Sequence, residues 1–335
     1  MKLQIEIIVI LLAIFQFSTG YHKPVHTREA RSKGIYAYKI AGENMNSEVA
    51  NLRYLTPRTE SAYVYSAIRG TVSRADTITI PGRLEQISWI GGDSAFFRAQ
   101  PESHNKIIIS YAPAGDFTGI SQATIRLHIA DKTQKDLDLA GLSTRALEGE
   151  NEAPLSQILE VLHYPINIGW KNLANHCRPE LQGDEIKKSI FKKAGKGNVE
   201  MIPIARYSPD FELAFGYYSL KGDSIARKHA GTLAKAGKFP QHQTLYPDIS
   251  AGNTAFDPGD QTIGFYARSP SHVAYTQDTL NKIHYPDHVA HATRIYPLKT
   301  SDGKVQPNSF LVCFEEAKNG DYNDYVFIVK NVKPV

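Results

Sequence analysis

Short runs of β-branched and aromatic residues, cut at regular intervals by Gly, Pro, Asp and Ser, recur from about Ser61 to the C-terminus. That spacing of strand-forming segments is the signature of β-sandwiches, so the chain is read as mostly β. Segments 77–80, 86–90, 95–98, 106–111 and 124–129 form a first group, and 211–218, 262–267, 272–275, 292–296, 310–314 and 325–329 a second. Within 124–129, Ile125, Leu127 and Ile129 alternate with Arg126 and His128, as in a strand that buries one face. The run 310–314 is continuously apolar and includes Cys313, which reads as a buried strand.

Between the two groups the pattern changes. Pro154 opens a segment that places Leu155, Ile158, Leu159 and Leu162 on one helical face. A second helix is expected at 184–194, with Asp184 as its cap and Lys187, Lys188, Lys192, Lys193 and Lys196 on a solvated face. Five segments follow from this: a signal peptide at 1–20, an arm at 21–60 carrying an edge strand near 34–40, a first sandwich at 61–142, a helical connector at 143–198 and a second sandwich at 199–335.

The first residues set the expected location. Lys2, an apolar run from Ile7 to Phe15 and the small residues of Ser18-Thr19-Gly20 have the layout of a secretory leader. The run is far shorter than the roughly 20 residues that cross a bilayer. An exported chain without a transmembrane segment is therefore expected, secreted or held at the cell surface. The formal net charge of +4 is spread along the chain without a basic stripe, which argues against a nucleic-acid partner. Cys177 and Cys313 are the only cysteines, and in an exported chain they are a candidate disulfide.

The sharpest chemical feature lies at 314–325. Glu315, Glu316, Asp321, Asn323 and Asp324 put five oxygen-bearing side chains into ten residues between two strands. Hard cations such as calcium take about six to eight oxygens, and carboxylates this close would otherwise repel one another and resist ionisation. Calcium is the expected cofactor, with Glu315, Asp321, Asn323 and Asp324 as ligands; Asp278 and Asn281 from another loop are further candidates. The competing reading is a hydrogen-bonded hairpin turn. His284, His288 and His291 lack a zinc-site spacing. No nucleophile elbow, metalloprotease helix, phosphate loop or dinucleotide fingerprint occurs.

Two resemblances extend this reading. The stretch Asn105-Lys106-Ile107-Ile108-Ile109-Ser110-Tyr111-Ala112-Pro113, then Ala123 to Ile129, then Asp136-Leu137-Asp138-Leu139-Ala140-Gly141-Leu142, resembles the abnormal-spindle/hydin-type immunoglobulin-like domain over about 67–142. The remainder resembles an uncharacterised C-terminal region of secreted bacterial proteins, in Phe215-Gly216-Tyr217-Tyr218, Phe256-Asp257-Pro258-Gly259, Arg294-Ile295-Tyr296-Pro297, and Phe314-Glu315-Glu316 with Asp321-Tyr322-Asn323-Asp324. That closing motif is similar to one in calcium-associated adhesin repeats, which implies Glu315, Asp321 and Asp324 as ligands. Relatives often carry an acidic run where this chain has Trp170-Lys171-Asn172-Leu173, which implies one site rather than two. The function so implied is non-catalytic binding or adhesion, with a glycan or a cell-surface or matrix protein as partner. A hydrolase using carboxylates of the second sandwich, and a purely structural matrix protein, are the alternatives.

Overall fold

The computed structural model describes residues 59, 62–147, 149–173 and 177–335, together with the backbone of residues 39–40. The expected leader at 1–20 and the arm at 21–60 lie outside the described residues, apart from residues 39–40 and 59. The fold is mostly β. No helix among the described residues is long and apolar enough to cross a membrane. The described residues form one compact unit.

Its first part is two facing sheets. One contains Ala62–Ile68, Gln134–Thr144, Gly119–Ile129 and Leu84–Gly92 in that order, and the other Asp76–Thr79, Lys106–Tyr111 and Phe97–Ser103. The first strand pairs parallel with the last, Ala62 opposite Asp138 and Ile68 opposite Thr144, whereas the other pairings are antiparallel. Ile125 and Leu127 from one sheet meet Ile107, Ile109 and Tyr111 from the other in a fully buried core. The alternation in the sequence works as expected: Ile125, Leu127 and Ile129 are buried while Arg126 and His128 face outward. Glycine is required at Gly141, because a Cβ there would lie 2.4 Å from the Tyr111 ring.

The C-terminal part contains two larger sheets. Thr293–Lys299, Val305–Phe314, Tyr325–Lys330, Val199–Tyr207 and Gln243–Leu245 make one, and Ser224–Leu233, Leu213–Lys221, Gly264–Arg268 and Val273–Tyr275 are the main strands of the other. Phe310, Val312, Phe314, Tyr325, Phe327 and Val329 project into the core between them, against Phe215 and Phe265. The intervening residues Leu311, Cys313, Val326 and Ile328 project the other way, onto a second core. Successive residues of a strand face opposite sides, so a sheet covered on both faces needs continuous apolar runs. That is why 310–314 carries no polar alternation.

The second core is supplied by the connector. Leu155–Val161 is a helix as expected, with Leu155, Ile158, Leu159 and Val161 buried. It packs with Ala62, Val64, Ala140 and Leu142 of the first part and with Leu311, Cys313, Val326 and Ile328 of the C-terminal sheet. The connector is therefore a shared core and not a spacer.

Two local expectations are corrected. The helix expected at 184–194 does not form. Phe191 is completely buried against Phe265 and Phe310, with ring centroids 5.6 and 5.3 Å away, and Phe191–Lys193 is a short strand paired with Val332–Pro334. Burial of that aromatic ring outweighs the helical spacing of the lysines. Conversely, Asp278–His284, read as part of a loop, is a helix whose Leu280 and Asn281 are buried.

Candidate metal centre and its surroundings

The acidic turn connects Val305–Phe314 to Tyr325–Lys330, the two adjacent strands at the heart of the doubly covered sheet. Its backbone is drawn inward rather than looped into solvent. Glu315 N–H donates to Ala292 O at 3.0 Å, and Tyr207 N–H donates to the carbonyls of Asn323 and Asp324 at 3.2 Å. Glu315, Asp321, Asn323 and Asp324 are all buried. Tyr322 takes a positive φ of 56°, which directs its ring inward over Arg294, where its hydroxyl donates to His291 O at 2.6 Å.

Glu315, Asp321 and Asp324 can each place a carboxylate oxygen within 4.8 Å of the others. Their oxygens accept short local hydrogen bonds. Ala317 N–H reaches Glu315 Oε1 at 3.0 Å, Tyr322 N–H reaches Glu315 Oε2 at 3.3 Å, Glu316 N–H reaches Asp324 Oδ2 at 2.7 Å, and the Asn319 amide reaches Asp321 Oδ2 at 2.7 Å. Each carboxylate offers about four lone-pair positions, so these bonds orient the groups and leave acceptor capacity. Burial and the neighbouring Asp321 push Glu315 up to about 8, and burial raises Asp321 to about 6. Burial, then the charges of Glu315 and Asp321, holds Asp324 well above the usual carboxylate range. Arg206 is near enough to feel the charge of Asp324, yet all three acids stay above their usual range.

A hard cation fits this donor set. The three carboxylates alone fall short of about six to eight oxygens, so water or backbone carbonyls would complete the shell. Asn323, the fourth expected ligand, is held by its amide nitrogen, which leaves its carboxamide oxygen able to accept. Its amide donates to Ala153 O at 2.9 Å, tying the turn to the connector, and its Oδ1 is buried without a hydrogen-bond partner.

Asp278 does not join the cluster. It begins its helix and holds His291 Nδ1 at 2.9 Å, while His291 Nε2 contacts Glu185 Oε1 at 2.8 Å and Glu185 Oε2 accepts from Arg294 Nη1 at 2.5 Å. Burial alone would lower the His291 pKa, but the two carboxylates outweigh it and raise it to about 9. Asn281 is likewise unavailable, because its carboxamide bonds the backbone of Tyr275 and Ala290. The other two histidines diverge: His284 ends the helix, and His288 stacks on His272 at 4.4 Å with nearly parallel rings. Parallel rings cannot aim their in-plane nitrogens at one ion between them.

The candidate disulfide between Cys177 and Cys313 does not form. Cys313 is buried on the face of its strand that packs on the connector, whereas Cys177 donates its thiol to Lys318 O beside the acidic turn.

The Asp278–His291–Glu185–Arg294 chain was not readable from sequence. Its members span more than a hundred positions, with Glu185 106 residues from His291. Arg294 is completely buried, donates to the carbonyls of Arg178 and Glu180, and lies over the rings of Trp170 and Tyr322 at 5.4 and 4.7 Å. It thereby joins the connector to the floor of the acidic turn.

No family model matches the chain, and no curated protein matches it. Among solved structures, an endo-fucoidan hydrolase of glycoside hydrolase family 107, MfFcnA4, is similar over 64% of this chain and 27% of its own, at 10% identity and a TM-score of 0.22. Its counterpart MfFcnA9 is similar over 24% of this chain and 14% of its own, at 12% identity and 0.19. The secreted serine protease VesC from Vibrio cholerae is similar over 67% of this chain and 50% of its own, at 11% identity and 0.20. The chain thus spans half or less of the length of these structures, and likenesses this slight assign neither fold nor activity.

Proposed function

We propose that the chain is an exported, non-catalytic binding protein of the cell surface or matrix, in which a hard divalent cation, calcium first, locks the C-terminal acidic turn. The observation that carries the metal reading is the meeting of Glu315, Asp321 and Asp324, buried and with ligand oxygens within 4.8 Å of one another. Ionising three carboxylates there is costly unless a cation compensates them. The binding reading draws support from the first part. Lettered A to G in chain order, its strands fall into an A-G-F-C sheet and a B-E-D sheet, close to the immunoglobulin-type division of seven strands. This favours the immunoglobulin-like assignment, a class common in binding proteins. Glycans are the expected ligand class.

Thermal unfolding of the full chain in EDTA and in calcium tests the metal. Free calcium at about a hundred times its Kd should stabilise the native state by about 2.7 kcal/mol, a rise of several degrees in Tm. The Asp321→Ala, Asp324→Ala double variant should lose the response. An unchanged wild-type Tm would leave the turn as a protonated, hydrogen-bonded hairpin.

A further inference from the structure

A cleft of about 700 Å³ lies where residues 74–77 of the first part face residues 234–241 and Asp248 of the C-terminal part. That volume falls within the roughly 300–1,000 Å³ usual for small-ligand sites. We propose that this cleft binds a neutral polyhydroxylated ligand, a saccharide segment, with the Phe239 ring beneath a sugar and Asp76, Arg74 and Asp248 along its polar edge. The proposal rests on the binding reading above and supplies its site.

The lining chooses the ligand class. Arg74, Lys235 and Lys238 face Asp76, Glu212 and Asp248, so formal charges balance. A phosphate or polyanion would meet as many carboxylates as cations, and a free cation would meet the Arg74 guanidinium between its two acids. The accessible lining is mostly apolar and is rimmed by six charged residues, so it suits a ligand with an apolar face and a polar edge, as a sugar ring has. Hydroxyl groups both donate and accept, so they satisfy carboxylates and cations alike.

The polar edge is held in place before any ligand arrives. Arg74 Nη1 donates to Asp248 Oδ1 at 2.5 Å, and its Nη2 lies 3.8 Å from Asp76 Oδ1. Asp248 is 3% exposed, its backbone N–H donates to Gln241 Oε1 at 2.8 Å, and its carbonyl accepts from Ala234 N–H. A fixed array of this kind loses little freedom on binding. Asp76 is partly stripped of water, and burial raises its carboxyl to about 6, so ligand hydroxyls can replace hydration it already lacks. Phe239 is half-buried and carries the ammonium of the exposed Lys238 over its ring at 5.6 Å; unlike the buried Arg294 over Trp170, that solvated lysine can swing aside to let the C–H side of a sugar ring take its place.

A second groove, of about 520 Å³, contains Tyr164 and Trp170. There Trp170 is 8% exposed and covered by Arg294, so its face is already occupied.

The test is equilibrium binding of the full chain to cellohexaose, laminarihexaose, maltohexaose and xylohexaose, with polygalacturonate as an anionic arm, each in calcium and in EDTA. Phe239→Ala and Asp76→Asn should each weaken the best neutral ligand at least about tenfold while Tm stays within the folded range, and Tyr164→Ala should not. No binding to any neutral probe by folded wild type, equal loss in Tyr164→Ala, or binding confined to polygalacturonate overturns the site. The cation lock fails separately, as a Tm indifferent to calcium with saccharide binding intact.

Discussion

The two parts of this chain handle polar groups in opposite ways. Between residues 62 and 144 the buried polar residues are Ser73, Ser121, Ser143 and Thr144, and none is charged among the described residues. Beyond residue 150 the buried set includes Glu152, Glu185, Arg206, Asp248, Arg294, Glu315, Asp321 and Asp324. The cause is the number of covered faces. A sheet with one wet face sends its charges outward, as Arg126 pairs with Asp136 at the surface. The sheet of Val305–Phe314 and Tyr325–Lys330 has no wet face near the acidic turn, so charges there must find internal partners. The core of the first part is held by apolar burial, while that of the second also depends on which charges are paired and on pH.

The strongest way to break this contrast is Arg294→Leu. Removing one member of a buried pair strands the other, here Glu185, whose side chain is 1% exposed. A loss of about 4 kcal/mol is expected in denaturant unfolding, and a loss under about 1 would mean that His291 alone compensates Glu185. Next comes Ile125→Ala in the first core, expected to cost about 3 kcal/mol through lost burial and a residual cavity. Its cost should be the same at pH 6 and pH 9 and in calcium or EDTA. A cost that moved with pH would undo the distinction between the parts.

A third effect is the alkaline slope. His291 titrates near 9 in the fold and near 6.5 unfolded, so its network contributes fully below about pH 6.5 and is lost as pH rises through 9. By linkage that is up to about 3 kcal/mol, read as falling stability between pH 7 and 9.5 in calcium and abolished in His291→Gln. In EDTA an additional fall should appear between pH 4 and 8. Glu315 and Asp321 have raised folded values, so their contribution is present in acid and lost as they ionise. Parallel slopes in calcium and EDTA would detach the acidic turn from any cation. The smallest effect is Arg126→Ala: an exposed pair contributes little, and Tm should not move measurably.

What was legible in the sequence follows the same division. Alternation in 124–129 and the apolar face of Leu155, Ile158 and Leu159 identified their elements, because each element buries one face. The lysine spacing at 187–196 misled, since Phe191 is placed by Phe265 and Phe310 from distant strands, a tertiary preference that local periodicity does not encode. At the site, Glu315, Asp321 and Asp324 were legible because one turn carries them. Asp278 was misassigned because its partner, His291, is thirteen residues away across a helix end. Arg294, in the middle of a strand-like run, gave no sign that it would be buried.

The parallel pairing of Ala62–Ile68 with Gln134–Thr144 also sets how the first part answers force. Tension that draws the chain before Ala62 away from the chain after Thr144 pulls these two strands along their length in opposite directions. The ladder between them is then loaded in shear, so its hydrogen bonds must give way together and not one after another. A load applied across these two points would meet the ladder as a whole.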